Sequence, residues 1–162
     1  MIASVVVLGL VTLQRLGELV LARRNTARLI ARGGVEHGAA HYPAIVALHT
    51  AWLSGLWWFG WDNPVQAIWV AVYLGLQLLR ALVLLSRGRR WTTRIIVVPG
   101  ETLVRRGPYR FLPHPNYLVV AGEIAVLPLA FGLPAYALAF SVLNAAVLAV
   151  RIRAESRALR GI

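Results

Sequence analysis

The stretch Pro64–Arg90, PVQAIWVAVYLGLQLLRALVLLSRGRR, decides the fold class. From Pro64 to Ser86 it holds a single charge, Arg80, and is long enough to cross a hydrocarbon core, which takes about 20 mostly apolar residues in helical form. Arg87, Arg89 and Arg90 follow at once. An apolar run stopped by clustered cations reads as a helix leaving a membrane on its cytoplasmic side.

Four further windows have the same character: Ile2–Ala22, Pro43–Trp61, Pro115–Phe131 and Pro134–Val150. Four of the five begin with proline, which a first helical turn accepts because its missing N–H would be unpaired there anyway. The first window has no basic residue before it, and Arg23 and Arg24 follow it, so it reads as a retained span and not as a secretory signal. The composition agrees. Of 162 residues 59% are hydrophobic, the formal net charge is +11, and the mean hydropathy is +0.67. So much apolar surface does not fit inside one water-facing globule. The length suits one domain, residues 1–162, and the absence of cysteine excludes disulfides, thiolate catalysis and Cys-ligated metals, so no metal site is expected.

All 17 basic residues are arginine, a bias of genomic composition, and their placement sets the orientation. Fifteen lie in three segments: Arg23–Tyr42, Arg87–His114 and the tail from Arg151. The connections at Asp62-Asn63 and Gly132-Leu133 hold none. By the positive-inside rule the N-terminus faces out and the C-terminus faces the cytoplasm. The expected fold is all-α and integral to the membrane: five transmembrane helices, a short cytoplasmic connector, and a cytoplasmic helix continuing the fifth span from Arg151. A bacterial inner membrane is the expected location, with soluble-side chemistry on the cytoplasmic face. A pI near 11.6 also raises nucleic acid as a partner, but the arginines are divided among three loops without a recognition module, so none is expected. Arg94–Val104, with β-branched residues around Pro99-Gly100, predicts a short local hairpin. Five of the six tryptophans lie between Trp52 and Trp69 and read as an interfacial belt at the outer ends of spans two and three.

Polar groups inside spans are costly and face a bundle interior, a cavity or each other. Here they are Gln14, Arg15, Glu18, His49, Gln77, Arg80, Glu123 and Asn144. All fall in the inner half of the bilayer, roughly 6–14 Å from the cytoplasmic face at about 1.5 Å per residue. That asymmetry predicts a polar pocket opening to the cytoplasm and ending in mid-membrane. Arg15 and Glu18 have the spacing of a structural ion pair, and for Arg80 the competing reading is snorkelling to the interface. Glu18 and His49 are the pocket's candidates for contact with a substrate.

The segment Arg106–Tyr117, RGPYRFLPHPNY, holds three aromatic residues, a histidine and arginines among three prolines at the membrane surface. Such a rigid edge suits a ligand with a flat ring and charged groups. Together with Arg151-Ile152-Arg153-Ala154-Glu155-Ser156-Arg157-Ala158-Leu159, it resembles the isoprenylcysteine carboxyl methyltransferase family. The family pattern is roughly G-x-Y, then R-H-P-x-Y-x-G, then R-x-x-x-E-E-x-x-L. Gly107-Pro108-Tyr109 and His114-Pro115-Asn116-Tyr117 match the first part, and Arg151 to Leu159 the second. The motif likeness covers about the last 60 residues. Gln14-Arg15-Leu16…Glu18 and His41-Tyr42-Pro43 look like the small bacterial branch. Three positions depart: Pro113 for Arg, Val119 for Gly, and Ser156 for the second Glu. Val119 narrows the space near a donor, with Gly122 one turn later as candidate compensation.

The resemblance implies an S-adenosyl-L-methionine-dependent methyltransferase that releases S-adenosyl-L-homocysteine. It implies a donor held by Glu101, Thr102, Leu103, Val104, Tyr109, His114, Pro115, Asn116, Tyr117 and Glu155. Arg151 would orient the acceptor, and Arg151 and Glu155 are the candidate catalytic pair. The partners implied are the lipid bilayer and a lipophilic small molecule, either a prenylcysteine-like carboxylate or a long-chain phenol or pyrone. A carboxylate needs no base, while a phenol or enol needs one, for which His114 and Glu123 are candidates. The competing readings are a phospholipid N-methyltransferase-like enzyme and a non-enzymatic membrane transporter or scaffold.

Overall fold

The computed structural model describes residues 1–102 and 104–159. Five helices form the body: α1 (Ile2–Ala31), α2 (Tyr42–Gly60), α3 (Ala67–Arg87), α4 (Pro115–Ala130) and α5 (Pro134–Leu159). Three are long and apolar enough to cross a membrane: α1, α5, and the helical stretch Ala67–Arg90 that includes α3. Helix α4 is apolar but shorter, at 16 residues. Helix α2 spans 19 residues and carries Tyr42, Pro43, His49 and three tryptophans.

Successive helices alternate in direction. At one end Ser4 of α1 donates to the Asn63 carbonyl, Asn63 donates to that of Phe131, and the Gln66 N–H donates to that of Ala130. This last bond holds Val65-Gln66 extended, so α3 starts at Ala67 and not at Pro64. At the other end Asn25 of α1 donates to the Trp91 carbonyl at 2.8 Å, and Tyr42 of α2 bonds Thr93. This end carries the arginines.

Helix α1 continues nine residues past the expected end at Ala22, so Arg23, Arg24 and Arg28 ride on a helix and not on a loop. Thirty residues make a rod of roughly 45 Å, longer than a hydrocarbon core of about 30 Å. Its stop is a Schellman motif: the Gly33 N–H bonds the Ile30 carbonyl and the Gly34 N–H the Leu29 carbonyl, with Gly33 at φ +82.

The strand expected at Arg94–Val104 exists as β2 (Ile95–Val97), but its partner is not across Pro99-Gly100. It pairs antiparallel with β1 (Val35–His37), Val35 opposite Val97 and His37 opposite Ile95. The two connectors at the arginine-rich end are thereby joined, and Arg94 Nη1 reaches the Glu36 carboxylate at 2.7 Å.

Burial follows the logic of a lipid-facing protein. Leu78, Leu85 and Leu138 are 68–74% exposed, whereas Ser4, Asn25, Arg80, Glu123 and Asn144 are buried. One apolar cluster gathers Leu8, Trp52, Leu56, Leu127 and Phe131. Trp52 therefore belongs to the core and not to an interfacial belt; Trp58 and Trp61 do lie on the surface. A smaller cluster of Ala22, Val83 and Trp91 supports the arginine-rich end.

Candidate active site

The site forms where α4 begins beside the last turns of α5. Pro115 fills the first turn of α4, and Pro113 and Pro115 restrain His114 at its cap. The His114 ring stacks on Tyr117, with centroids 5.2 Å apart and planes at 20°. Arg151 and Glu155 are four apart and share one face of α5, turned towards α4. Arg151 Nε donates to the Tyr117 hydroxyl at 3.0 Å, and that hydroxyl donates in turn to Glu155 Oε2. His114 Nδ1 lies 3.4 Å from the same carboxylate oxygen. Arg151 Nη2 donates to the Thr93 carbonyl at 2.7 Å, fixing the buried guanidinium from its other side. Arginine, tyrosine and carboxylate thus form one relay between two helices.

Two cavities meet at this relay. A narrow cleft of about 50 Å³ is lined by Arg87, Trp91, Tyr109, His114, Asn116 and Glu155 among others. A larger chamber of about 390 Å³, mostly apolar, runs into the bundle past Leu19, Ile45, Leu53, Val120 and Val147. Trp91, Thr92, Asn116, Tyr117 and Arg151 line both, so they stand where the two spaces adjoin.

The cleft is short of hydrogen bonds. The Tyr109 hydroxyl, Asn116 Oδ1, Trp91 Nε1 and Arg87 Nε are buried without a hydrogen-bond partner among the described residues. Buried polar atoms are normally paired, so Asn116 Oδ1 and Trp91 Nε1 are groups that a polar ligand would satisfy, while Tyr109 and Arg87 lie close enough to act on each other. Burial pushes the Tyr109 phenol above its ordinary pKa, and the Arg87 guanidinium, 5.6 Å over its ring, opposes that shift. Burial, with the Arg151 cation second, lowers the pKa of His41.

Of the residues expected at the donor, Tyr109, His114, Asn116, Tyr117 and Glu155 line the cleft, and Pro115 is buried in the turn beneath them. Glu101 and Thr102 stand elsewhere. Glu101 pairs with Arg32 at the end of α1 and with Arg90, and the Thr102 carbonyl accepts from Arg90 at 2.9 Å. Leu103 lies outside the described residues; Glu101, Thr102 and Val104 do not line the cleft. Glu18 and His49 line the chamber. Arg80 does not snorkel: it is buried, and Nε and Nη2 grip the Glu123 carboxylate while Nη1 holds Glu18 at 2.9 Å. Arg15 pairs with Glu18 at 3.0 Å and with Glu123 at 2.8 Å. Glu123 is therefore engaged by two guanidiniums, which leaves it unsuited to act as a base. Gly122 serves helix packing, since a Cβ there would meet Leu76 of α3 at 2.9 Å. Val119 is buried and lines neither cavity.

Sequence reasoning missed Arg87, Trp91, Thr92 and Arg94 as cleft residues. The available signal was Trp91, the one tryptophan outside the Trp52–Trp69 cluster, set among connector arginines.

Residues 69–161 match the isoprenylcysteine carboxyl methyltransferase (ICMT) family, a span that takes in the relay, the cleft, most of α3, and α4 and α5. The chain belongs to the ICMT family. The uncharacterized protein YpbQ of Bacillus subtilis (strain 168) is 37% identical over 166 residues, covering 94% of this chain and 94% of its own length. No solved structure matches the chain. The ICMT family is one of methyltransferases whose members use S-adenosylmethionine, and the long apolar helices agree with a membrane setting.

Proposed function

We propose that this ICMT-family chain is an S-adenosylmethionine-dependent O-methyltransferase acting on a lipophilic acceptor dissolved in the membrane. The observation that carries the reading is the Arg151–Tyr117–Glu155 relay in the wall between a polar cleft and an apolar chamber. A two-substrate enzyme needs two binding spaces that adjoin at one point, because the acceptor oxygen must reach the methyl carbon in line with the breaking C–S bond.

The unpartnered polar atoms of the cleft, with the Glu155 carboxylate, fit a donor that carries an ammonium, ribose hydroxyls and a flat base. When bound, that donor supplies a methyl group on a positively charged sulfur. Glu155 accepts charge-assisted hydrogen bonds, and Tyr109 and Trp91 offer aromatic surface. Tyr117 ties Glu155 to Arg151, so the donor side and the acceptor side are aligned by one hydroxyl. Arg151 uses Nε and Nη2 within the protein, which leaves Nη1 for an acceptor oxygen. A carboxylate acceptor arrives ionised. For a phenol, His114, which lines the cleft with its Nδ1 3.4 Å from Glu155, is the base candidate.

The proposed topology is five spans with the N-terminus out, and the active site facing the cytoplasm of a bacterial inner membrane. The arginines support it, since their three segments adjoin the helix ends around the cleft. The cleft, at about 50 Å³, holds only part of a donor of this size, so binding widens it.

Calorimetric titration of purified protein with S-adenosylhomocysteine tests the reading. Binding that is lost in Glu155→Ala is expected, as is transfer of labelled methyl to a membrane lipid that is lost in Arg151→Ala. Absence of binding under conditions where the protein stays folded would overturn it.

A further inference from the structure

The chamber has a second polar end, opposite the Arg151 wall. Five helices each place a polar residue about two turns in from the arginine-rich end: Glu18 lies seven residues before Asn25, His49 seven after Tyr42, Arg80 seven before Arg87, Glu123 eight after Pro115, and Asn144 seven before Arg151. At 1.5 Å per residue this layer lies roughly 10 Å below the wall. Arg15, Glu18, Arg80 and Glu123 form a closed quartet of two cations and two anions. It is neutral as a unit, so the layer has no net charge to attract an ion.

The layer nevertheless keeps unused hydrogen-bonding capacity beside the chamber. His49 Nδ1 bonds the Ile45 carbonyl at 2.8 Å. A carbonyl only accepts, so that nitrogen carries the proton and Nε2 of the neutral ring keeps a lone pair. Asn144 is 2% exposed, and its Oδ1 has no partner among the described residues. Trp52 is 1% exposed and its Nε1 is equally unpartnered. All three residues line the chamber. Two acceptors and the Trp52 donor, with the unpartnered Nε of Arg15 at the edge of the quartet, are set in a largely apolar cavity and match a group that both donates and accepts.

Resting on the reading of the chamber as the acceptor's site, we infer that His49, Asn144 and Trp52 form a second recognition site for an uncharged hydroxyl of the acceptor. That hydroxyl lies roughly 10 Å from the oxygen held at Arg151. The acceptor class is therefore an elongated lipophile with two oxygen functions, one presented at the wall and one buried at the quartet.

The test uses two probes of nearly equal size: para-pentylphenol, and para-(hydroxybutyl)phenol, in which a hydroxyl replaces the terminal methyl. Binding to the full chain in detergent is followed by tryptophan fluorescence, because Trp52 and Trp91 line the chamber. No donor is added, so the result is independent of methyl transfer. In a wholly apolar chamber the hydroxyl would weaken binding about tenfold or more, because it loses water and gains nothing. With the second site intact the two probes should bind within about threefold of each other. His49→Phe and Asn144→Leu should each weaken the hydroxylated probe by roughly five- to tenfold and leave pentylphenol within twofold. A tenfold penalty already present in the wild type, or a probe ratio unmoved by both substitutions, overturns the inference. Failure of S-adenosylhomocysteine to bind a protein that still discriminates the probes would instead count against the methyltransferase reading alone.

Discussion

Replacing Arg80 by Met should unfold the bundle at a much lower temperature, and adding Glu123→Leu should restore most of the loss. Arg80 makes three charged hydrogen bonds, two to Glu123 and one to Glu18, in a side chain only 5% exposed. Without it Glu18 and Glu123 share the single guanidinium of Arg15, which contacts them at 3.0 and 2.8 Å. The site then carries one buried uncompensated negative charge. Breaking a buried pair from one side costs about 3–5 kcal/mol. Gln14 and Gln77 still donate to the carboxylates, which favours the lower end. For a chain of this size each kcal/mol moves Tm by about 2–4 °C, so the single variant should lose roughly 6–20 °C. Glu123→Leu alone leaves two cations on Glu18 and should cost a similar amount. The double variant keeps the neutral Arg15–Glu18 pair and replaces a desolvated ion pair by apolar volume, a change that is often close to neutral. Thermal melts in one detergent at one scan rate, followed by circular dichroism, give the four corners of the cycle. Losses that simply add in the double variant, or a single-variant loss under about 3 °C, would refute the description of the quartet as one neutral unit.

Three other predictions concern the site and its frame. Glu155→Gln keeps the shape beside Tyr117 but removes the charge, so S-adenosylhomocysteine affinity in calorimetry should fall by about 1.5–3 kcal/mol, roughly 10–150-fold, with little change in Tm; unchanged affinity would remove Glu155 from the donor site. Gly107→Ala meets both a positive φ of +58 and a Cβ only 2.1 Å from Ser86 Oγ; a loss of about 1–3 kcal/mol is expected, part of it recovered on adding Ser86→Ala, and full stability of the single variant would contradict that close approach. Arg32→Ala breaks a pair whose arginine is 57% exposed and should cost under about 1 kcal/mol, so a Tm change well above that scale would mean that the Glu101 clasp holds more than a surface loop.

The parts of the fold that were legible in sequence are those with a local cause. Apolar runs bounded by arginine or proline located all five helices, and the four-residue spacing of Arg151 and Glu155 put them on one helical face. Proline-framed His114 was visible as an unusual helix start. What was hidden depends on distant partners. The Val35–Val97 pairing joins segments some sixty residues apart, and three-residue strands carry too little pattern to name each other. Arg23 to Arg28 looked like a loop because charge ended the apolar window, yet arginine is a good helix former and nothing stops α1 before Gly33. Glu18, Arg80 and Glu123 of α1, α3 and α4 were expected at one level and do meet, but a shared level does not say which residues touch. Arg80 could have snorkelled; what holds it inward is the pair of carboxylates on α1 and α4.

Taking the acidic residues one by one narrows the site further. The sequence has six against seventeen arginines, so a carboxylate without an arginine partner needs a reason. Glu18 and Glu123 are bound by Arg15 and Arg80. Glu36 is held by Arg94, and Glu101 by Arg32 and Arg90. Asp62 sits in the connection at the opposite end. At the arginine-rich end that leaves Glu155, whose described contacts are the Tyr117 hydroxyl and His114. Arg151 lies one turn away on the same helix, yet its Nε bonds Tyr117 instead of pairing with Glu155. A carboxylate surrounded by arginines but bonded to a neutral hydroxyl keeps its capacity for a cationic or hydroxylated ligand, and the interposed Tyr117 is what prevents Arg151 from saturating it. On this logic Tyr117→Phe should be more damaging to binding than the loss of one hydrogen bond, because it frees Arg151 to close on Glu155 and fill the cleft with an internal ion pair.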